Sequence, residues 1–233
     1  MIEIRHKDTG AVLLQVEADT LVGAELSGEV LRGADLHGMD LHGIQLRRAF
    51  LIGVDLSHAN LQDARLNGAD LTDVNLTDAN LRAAHLTEAK VRGADLSLAD
   101  LAAAELPGTY LFQAKLQRAN LSGAHLYRAS FIATDLSEAI LTNVDLTGTI
   151  FHGVKLNRAN LAGATLAQAF LADCQDLHKA MGLADLRHSA PSSLDVRTLR
   201  AGVLRLPDVF LQGIGYTTDE VEHLRALYAT QTH

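Results

Sequence analysis

The chain has no tryptophan, only 4% aromatic residues and a single cysteine among 233 residues. Without large rings, an interior of this size has to be filled by leucine and alanine, which suits a narrow, regular core better than an irregular globular one. One cysteine, Cys174, excludes an intrachain disulfide and makes the reducing cytoplasm the expected compartment. No run approaches the ~20 apolar residues that a membrane-spanning helix needs. The opening MIEIRHKDTG lacks the basic and apolar regions of a secretory signal. The formal charge of −8 weighs against nucleic acid as a partner, because phosphate recognition needs clustered positive charge.

What the sequence does have is a period. From Leu21 to Leu171, all 31 positions at five-residue steps are apolar, Leu throughout except Val91, Phe131 and Phe151. The residue two places earlier is mostly Ala, with Val at Val54, Val74, Val144 and Val154, and Thr at Thr109, Thr134 and Thr149. Glu29 breaks this rule. Asp or Asn commonly precedes the centre, as at Asp70, Asn75 and Asn80, and Gly is frequent two places after it. A step of five advances ~140° on a helix of 3.6 residues per turn, so it never forms a helical stripe and excludes a leucine zipper.

This A(D/N)LXX pattern resembles the pentapeptide-repeat family over about residues 21–171. The resemblance implies an all-β, right-handed quadrilateral β-helix in which four pentapeptides make one coil. The residues agree with that shape: the two apolar positions point inward along a short extended segment, and the other three turn the corner. Coils of 20 residues stacked at the ordinary strand spacing of ~4.8 Å would give a rod about 35 Å long. No coil is stable alone, since each covers its neighbour.

The organisation expected is an N-terminal β-hairpin cap over residues 1–20, the β-helix over 21–173 and a small helical subdomain over 174–233. The cap turns at Asp8, Thr9 and Gly10, with Glu29 as a strained junction into the regular coils. The frame stops after Leu171, because Asp176 falls on the next centre. Residues 174–187 have helix-like spacing, and Ser192 or Ser193 is a candidate N-cap for a helix over LDVRTLRAGVLR. Thr217 and Glu220 stand at capping-box spacing before DEVEHLRALY. Leu204, Leu206, Val209, Phe210 and Leu211 are expected to pack on the last coil. The stretch from GLADLRHSAPSS to LPDVFLQGIGY is also similar to a module that follows pentapeptide repeats in some bacterial multidomain proteins, where it leads into a signalling or effector domain such as a TIR domain.

Positions 20 residues apart share a side of the rod, which sorts the surface into four faces. One carries Asp40, Asn60, Asn80, Asp100, Asn120 and Asn160, read as a column of turn-stabilising side chains. The opposite face places apolar residues outward, at Val30, Phe50, Ile52, Tyr110, Phe112, Ile132, Ile150 and Phe170, with Asp70 and Lys90 interrupting the row. An aligned outward apolar row marks a covered or interacting surface, so Phe50, Ile52, Tyr110, Phe112, Ile132, Ile150 and Phe170 are the candidate interface to a protein partner or a second copy. The chain's own termini are the other candidate cover. A third face holds Asp35, Asp55, Asp95 and Asp135 with Lys115, Lys155, Arg118 and Arg158, and its two ends are expected to differ in sign.

Three chemical readings bear on these faces. DNA mimicry, the mode by which some proteins of the resembled family regulate DNA gyrase, demands dense negative charge; residues 21–171 carry 16 acidic against 12 basic residues. His37 and His58, near Asp35 and Asp55, have metal-competent chemistry but stand on a convex surface. His85 and His125 lie two coils apart, too far to act together. No nucleophile–base spacing or phosphate loop is present. The expectation is a non-enzymatic scaffold without cofactor, binding a protein partner and neither nucleic acid nor membrane; the alternative is a regulatory or scaffold part of a larger bacterial signalling protein.

Overall fold

A computed structural model describes residues 1–230. The repeat folds as a parallel β-solenoid. Residues pair with those 20 positions on, as in Gln45 with Arg65, Asp55 with Asn75, and Asn60 with Asn80. Backbone bonds run between coils on every side; Asn80 N–H donates to the Ala59 carbonyl at 3.0 Å, and Leu61 N–H to the Asn80 carbonyl at 2.7 Å. The centres and the residues two before them fill the interior, with Leu71, Leu76, Leu81, Leu86, Ala79 and Ala84 all buried. The three inward threonines are buried too and are satisfied by backbone carbonyls: Thr109 Oγ1 donates to Leu86 O at 2.8 Å, Thr149 Oγ1 to Leu146 O at 2.7 Å, and Thr134 Oγ1 to Leu111 O.

Most corners are turns closed by the bond from the N–H three places after the centre to the centre's own carbonyl, as in Ala24 N to Leu21 O at 3.1 Å. The residue two after the centre has left-handed backbone, such as Gly23 (φ 67) and Gly43 (φ 66). This is the type II arrangement that favours glycine there. Several coils put other residues in the same slot, among them Arg48, Asp78 and Ala103.

At the N-terminus, β1 (Ile2–His6) pairs antiparallel with β2 (Val12–Val16) and with β3 (Ala34–Asp35), and Ile4 is buried over the first leucines. Gly10 (φ 69) makes the turn. Glu29 is no strained junction: its backbone is not left-handed, and its side chain is exposed where the opening coil has no coil below it.

One side of the rod flattens into a parallel sheet. Its strands are β4 (Tyr110–Phe112), β5 (Ser130–Ile132) and β6 (Ile150–His152), and the side continues after the short β7 (Thr165–Leu166) with β8 (Phe170–Ala172). Behind it Phe131 and Phe151 stack in the core, with ring centroids 5.0 Å apart and planes within 6°.

The coil does not end at Leu171. β9 (Arg187–His188) pairs with β7, and β10 (Ser193–Leu194) pairs with β8, both parallel. Around this last coil the partners are Lys155 with Gln175, Asn160 with Met181, Thr165 with Arg187 and Phe170 with Ser193, an offset that grows from 20 to 23 residues. Each side has gained one residue. Leu177, rather than Asp176, takes the core position, and Leu183 takes the next. The helix-like spacing of 174–187 thus resolves into short 3-10 turns at Leu177–Lys179 and Leu183–Asp185 within extended sides.

Three helices follow: α1 (Val196–Gly202), α2 (Asp208–Ile214) and α3 (Thr218–Ala229). The N-cap of α1 is Asp195, not Ser192 or Ser193. Asp195 Oδ1 accepts from Thr198 N at 2.9 Å and from Asp173 N at 3.1 Å, tying the helix to the coil. Ser192 Oγ is engaged by Ala169 N–H at 3.2 Å instead. Leu206, Phe210 and Leu211 are buried over the last coil, whereas Leu204, in the turn between α1 and α2, and Val209, on the outer side of α2, are exposed. An apolar void of about 20 Å³ remains between Leu171, Leu177, Leu183 and Phe210. The capping box of Thr217 and Glu220 is formed in α3. Among the described residues no helix is long and apolar enough to cross a membrane.

Candidate functional site

The 20-residue register decides which side chains meet. On the flat side, pairing runs Val30, Phe50, Asp70, Lys90, Tyr110, Ser130, Ile150, Phe170 and Ser193 in one row. Phe50, Tyr110, Ile150 and Phe170 therefore stand in line, with 47, 59, 42 and 45% of their surface exposed. Ile52, Phe112 and Ile132 sit two residues later in a parallel column and are half-buried. All seven candidate residues share this face. Asp70 and Lys90 divide it into a smaller patch around Phe50 and a larger one from Tyr110 to Phe170. Neither terminus covers it within the described residues: β10 extends the sheet at its end and leaves Phe170 exposed.

Sequence reasoning missed one contributor. The Arg92 guanidinium lies 5.2 Å from the centroid of the Phe112 ring, one coil above it. The signal was available, because 92 and 112 differ by the coil length. A shallow groove lined by Thr72, Lys90, Arg92, Tyr110 and Phe112 runs between the two patches.

The opposite face behaves as a ladder of turns. Asn60 Nδ2 donates to Asp40 Oδ1 at 2.8 Å, Asn80 Nδ2 to Asn60 Oδ1 at 2.9 Å, and Asn120 Nδ2 to Asp100 Oδ1 at 2.9 Å. Each Oδ1 also accepts an N–H two residues on, for example Gln62 N at 3.3 Å on Asn60 and Arg82 N at 3.2 Å on Asn80. These side chains serve the backbone. Ile140 interrupts the column between Asn120 and Asn160.

On the third face Asp35 and Asp55 stand at the N-terminal end of the row and leave that end acidic, while the later rungs pair. From Asp95 on the row reads Asp95, Lys115, Asp135, Lys155 in register, and these charges neutralise each other rung by rung: Lys115 Nζ to Asp95 Oδ2 is 3.1 Å, and Lys155 Nζ to Asp135 Oδ2 is 3.4 Å. Burial by itself would raise the carboxyls of Asp95 and Asp135. Hydrogen bonds from Ser97 and Ser137, with the neighbouring lysines, nevertheless hold both below the usual range.

Among the described residues reactive groups do not converge. His37 and His58 do come together, ring centroids 5.3 Å apart, but Nδ1 of His37 faces Ser57 Oγ at 2.9 Å and Nδ1 of His58 faces Asp78 Oδ2 at 3.0 Å. Among the described residues no group of three or more His, Cys, Asp or Glu side chains is placed to hold a metal ion. His85 and His125 are separated by Glu105, which His85 Nδ1 contacts at 2.7 Å. The Cys174 thiol is buried against backbone carbonyls, and burial, with the nearby Asp195 carboxylate, pushes it up to about 12. It stays protonated at neutral pH and is no nucleophile.

Known proteins place this architecture. The model of the family of pentapeptide repeats matches in eight copies, at residues 20–51, 40–78, 79–118 and 114–153. No curated protein matches the sequence. Among solved structures, HetL, a pentapeptide repeat protein involved in heterocyst differentiation regulation from the cyanobacterium Nostoc sp. strain PCC 7120, is 34% identical over 69% of this chain and 84% of its own, with a TM-score of 0.45. A trypsin-treated form of QnrB1, a plasmid-mediated fluoroquinolone resistance protein, is similar in fold, with a TM-score of 0.64 at 18% identity over 87% of this chain and 95% of its own. The matched repeats cover more than half of the residues, and the chain belongs to the pentapeptide-repeat family.

Proposed function

We propose that the protein is a non-enzymatic scaffold whose flat apolar face binds another protein, with the C-terminal helices as a second contact region. Proteins of this family are generally structural or interaction proteins. The observation that carries the reading is the row of Phe50, Tyr110, Ile150 and Phe170, all exposed at slots that the other faces fill mainly with polar residues. Burying one such side chain contributes on the order of 1.5–3 kcal/mol, so a few of them suffice for specific association. Flatness helps: a parallel sheet presents its outward side chains at one height, which suits a broad contact. Val196, Leu204 and Val209 add exposed apolar surface on the helical end.

The charge pattern speaks against mimicry of DNA. A phosphate-like surface needs unpaired negative charge at regular spacing, and here Asp95 and Asp135 are each neutralised by a lysine. The reading is tested by placing a photo-crosslinking amino acid at Tyr110, at Phe170 and, as control, at Asn80 on the opposite face. Protein adducts from the first two and none from Asn80 are expected in cells. Equal labelling from both faces, or none from either, would sink the proposal.

A further inference from the structure

The last coil ends on an unfinished ladder. In the regular rod a residue of the later coil fills two places on the earlier one: Asn80 N–H donates to Ala59 O at 3.0 Å, and Asn80 O accepts from Leu61 N–H at 2.7 Å. β10 joins this pattern by one edge only. Ser193 N–H donates to Ala169 O at 2.8 Å, and Asp195 N–H to Leu171 O at 2.9 Å. Successive residues of a strand direct their backbone groups to opposite edges, so Leu194 N–H points away from β8. Leu194 is in register with the centre Leu171, and Ser192 stands two places before it as Ala59 does before Leu61. The Leu194 N–H and the Ser192 carbonyl are therefore the donor and acceptor that one more coil would use. Among the described residues neither has a hydrogen-bond partner, because the chain leaves into α1 instead.

Across from this edge lies the turn from α2 into α3. Ser192, Leu194, Ile214, Tyr216 and Glu220 line the shallow groove between them. Gly215 (φ 123) brings the two walls together, since a Cβ built there would lie 3.8 Å from the Pro191 Cβ. A second groove continues past Tyr216 and Glu220 to Leu224. The fixed charges along both are Asp219 and Glu220, exposed and of one sign, with no lysine or arginine among the lining residues. One wall thus offers backbone hydrogen bonds, the other apolar contact, and the rim negative charge.

We infer that this groove takes an extended segment of another protein, added parallel to β10 as a sixth strand of the flat sheet, with apolar side chains over Tyr216 and a lysine or arginine at Asp219 and Glu220. One residue of the segment donates to Ser192 O and accepts from Leu194 N–H, which repeats the pairing of Asn80 with Ala59 and Leu61. In strand addition the backbone bonds supply affinity and the flanking side chains select the sequence. The inference rests on the reading of the C-terminal helices as a second contact region, and adds the mode of binding and the chemistry of the partner.

The test is fluorescence polarisation on the full chain with two labelled peptides, one alternating valine with lysine and the other valine with glutamate. The lysine peptide should bind at least about tenfold more tightly, because its charge opposes that of the rim. D219N combined with E220Q, which keeps the capping box, should remove most of that preference. Amide exchange of Leu194, followed by NMR, should slow at least about tenfold with the lysine peptide bound. F112D, on the flat face, should bind as the wild type does. Equal affinity for the two peptides, or no binding of the lysine peptide up to about 1 mM, overturns the proposal. Binding that leaves Leu194 exchange unchanged overturns strand addition. Slower Leu194 exchange as the protein alone is concentrated assigns the edge to a second copy and overturns it as well. A photo-crosslinker at Val209 separates this outcome from failure of the underlying reading: protein adducts there without peptide binding would keep the helical end as a contact region and remove only the groove.

Discussion

The regular coils and the last coil are built from the same parts and differ by one residue per side. In the rod a side is five residues, the offset stays at 20, and Leu71, Leu76, Leu81 and Leu86 close one layer of the core from four directions. In the last coil the offset drifts to 23, the inward leucines are Leu177 and Leu183, and a small void opens between them and Phe210. Five residues per side lets every coil stack on the next without adjustment. Six residues per side stops the repetition and leaves a surface that only the helices fit. The rod is held by many equivalent contacts, its end by a few specific ones such as Asp195.

That contrast can be broken deliberately. The largest effect is expected at Phe131, stacked on Phe151 in the core: F131A should cost about 3–5 kcal/mol by urea unfolding, as for other buried aromatics. Next comes the turn slot two residues after a centre and its equivalent at the end. Gly182 (φ 75) belongs to the last coil, and a Cβ there would lie 2.4 Å from the Ala162 nitrogen, so G182A should lower stability by more than about 2 kcal/mol. In the rod Ala103 has φ 58 and an exposed side chain, so A103G should instead raise stability, by up to about 1 kcal/mol. Both slots favour glycine, so the two regions differ in the size of the effect, and changes of equal magnitude would mean that the end is packed no more tightly than the rod.

Smaller, and confined to the end, is the loss of the cap. D195A should cost about 1–2 kcal/mol and expose Cys174, whose N–H donates to Thr198 Oγ1 at 2.9 Å. The measurement is thiol labelling, with a faster rate in D195A and no change in A103G. Smallest is the response to acid. His188 packs edge-on against Phe210 at 6.0 Å with neither ring nitrogen bonded, and burial lowers its pKa below the usual 6.5. A folded-state pKa below the unfolded one means the stabilisation is complete above about pH 6.5 and is lost as pH falls toward the folded value. The urea midpoint of the wild type should therefore fall from pH 7 to 5, and that of H188F should fall less. Parallel curves would exclude His188 as the cause.

Much of this was legible before any coordinates. The five-residue period fixed which residues face inward, the 20-residue sum placed Phe50 and Tyr110 on one side, and the capping box at Thr217 was plain. The end was harder to read because its signals are ambiguous in physical terms. Leu177, Ala180 and Met181 have the spacing of a helical face, and nothing local distinguishes that from a six-residue side carrying a 3-10 turn. Ser192 looked like a cap, but its hydroxyl was claimed by a ladder whose partner, Ala169, lies a full coil earlier. The alternating Asp95, Lys115, Asp135 and Lys155 could be read from spacing alone, yet counting charges by halves of the rod concealed the pairing.

The fixed offset also makes the face a matter of phase. Inserting or deleting five residues anywhere in the rod would leave the core continuous, but everything downstream would turn by a quarter of a revolution. Tyr110 would leave the line of Phe50, and Lys90 the line of Asp70. Only changes of 20 residues preserve the alignment. A chain that can lengthen or shorten cheaply by single repeats thus keeps its surface only by changing length in whole coils, and the flat side of this rod records that its repeats have stayed in step from Val30 to Phe170.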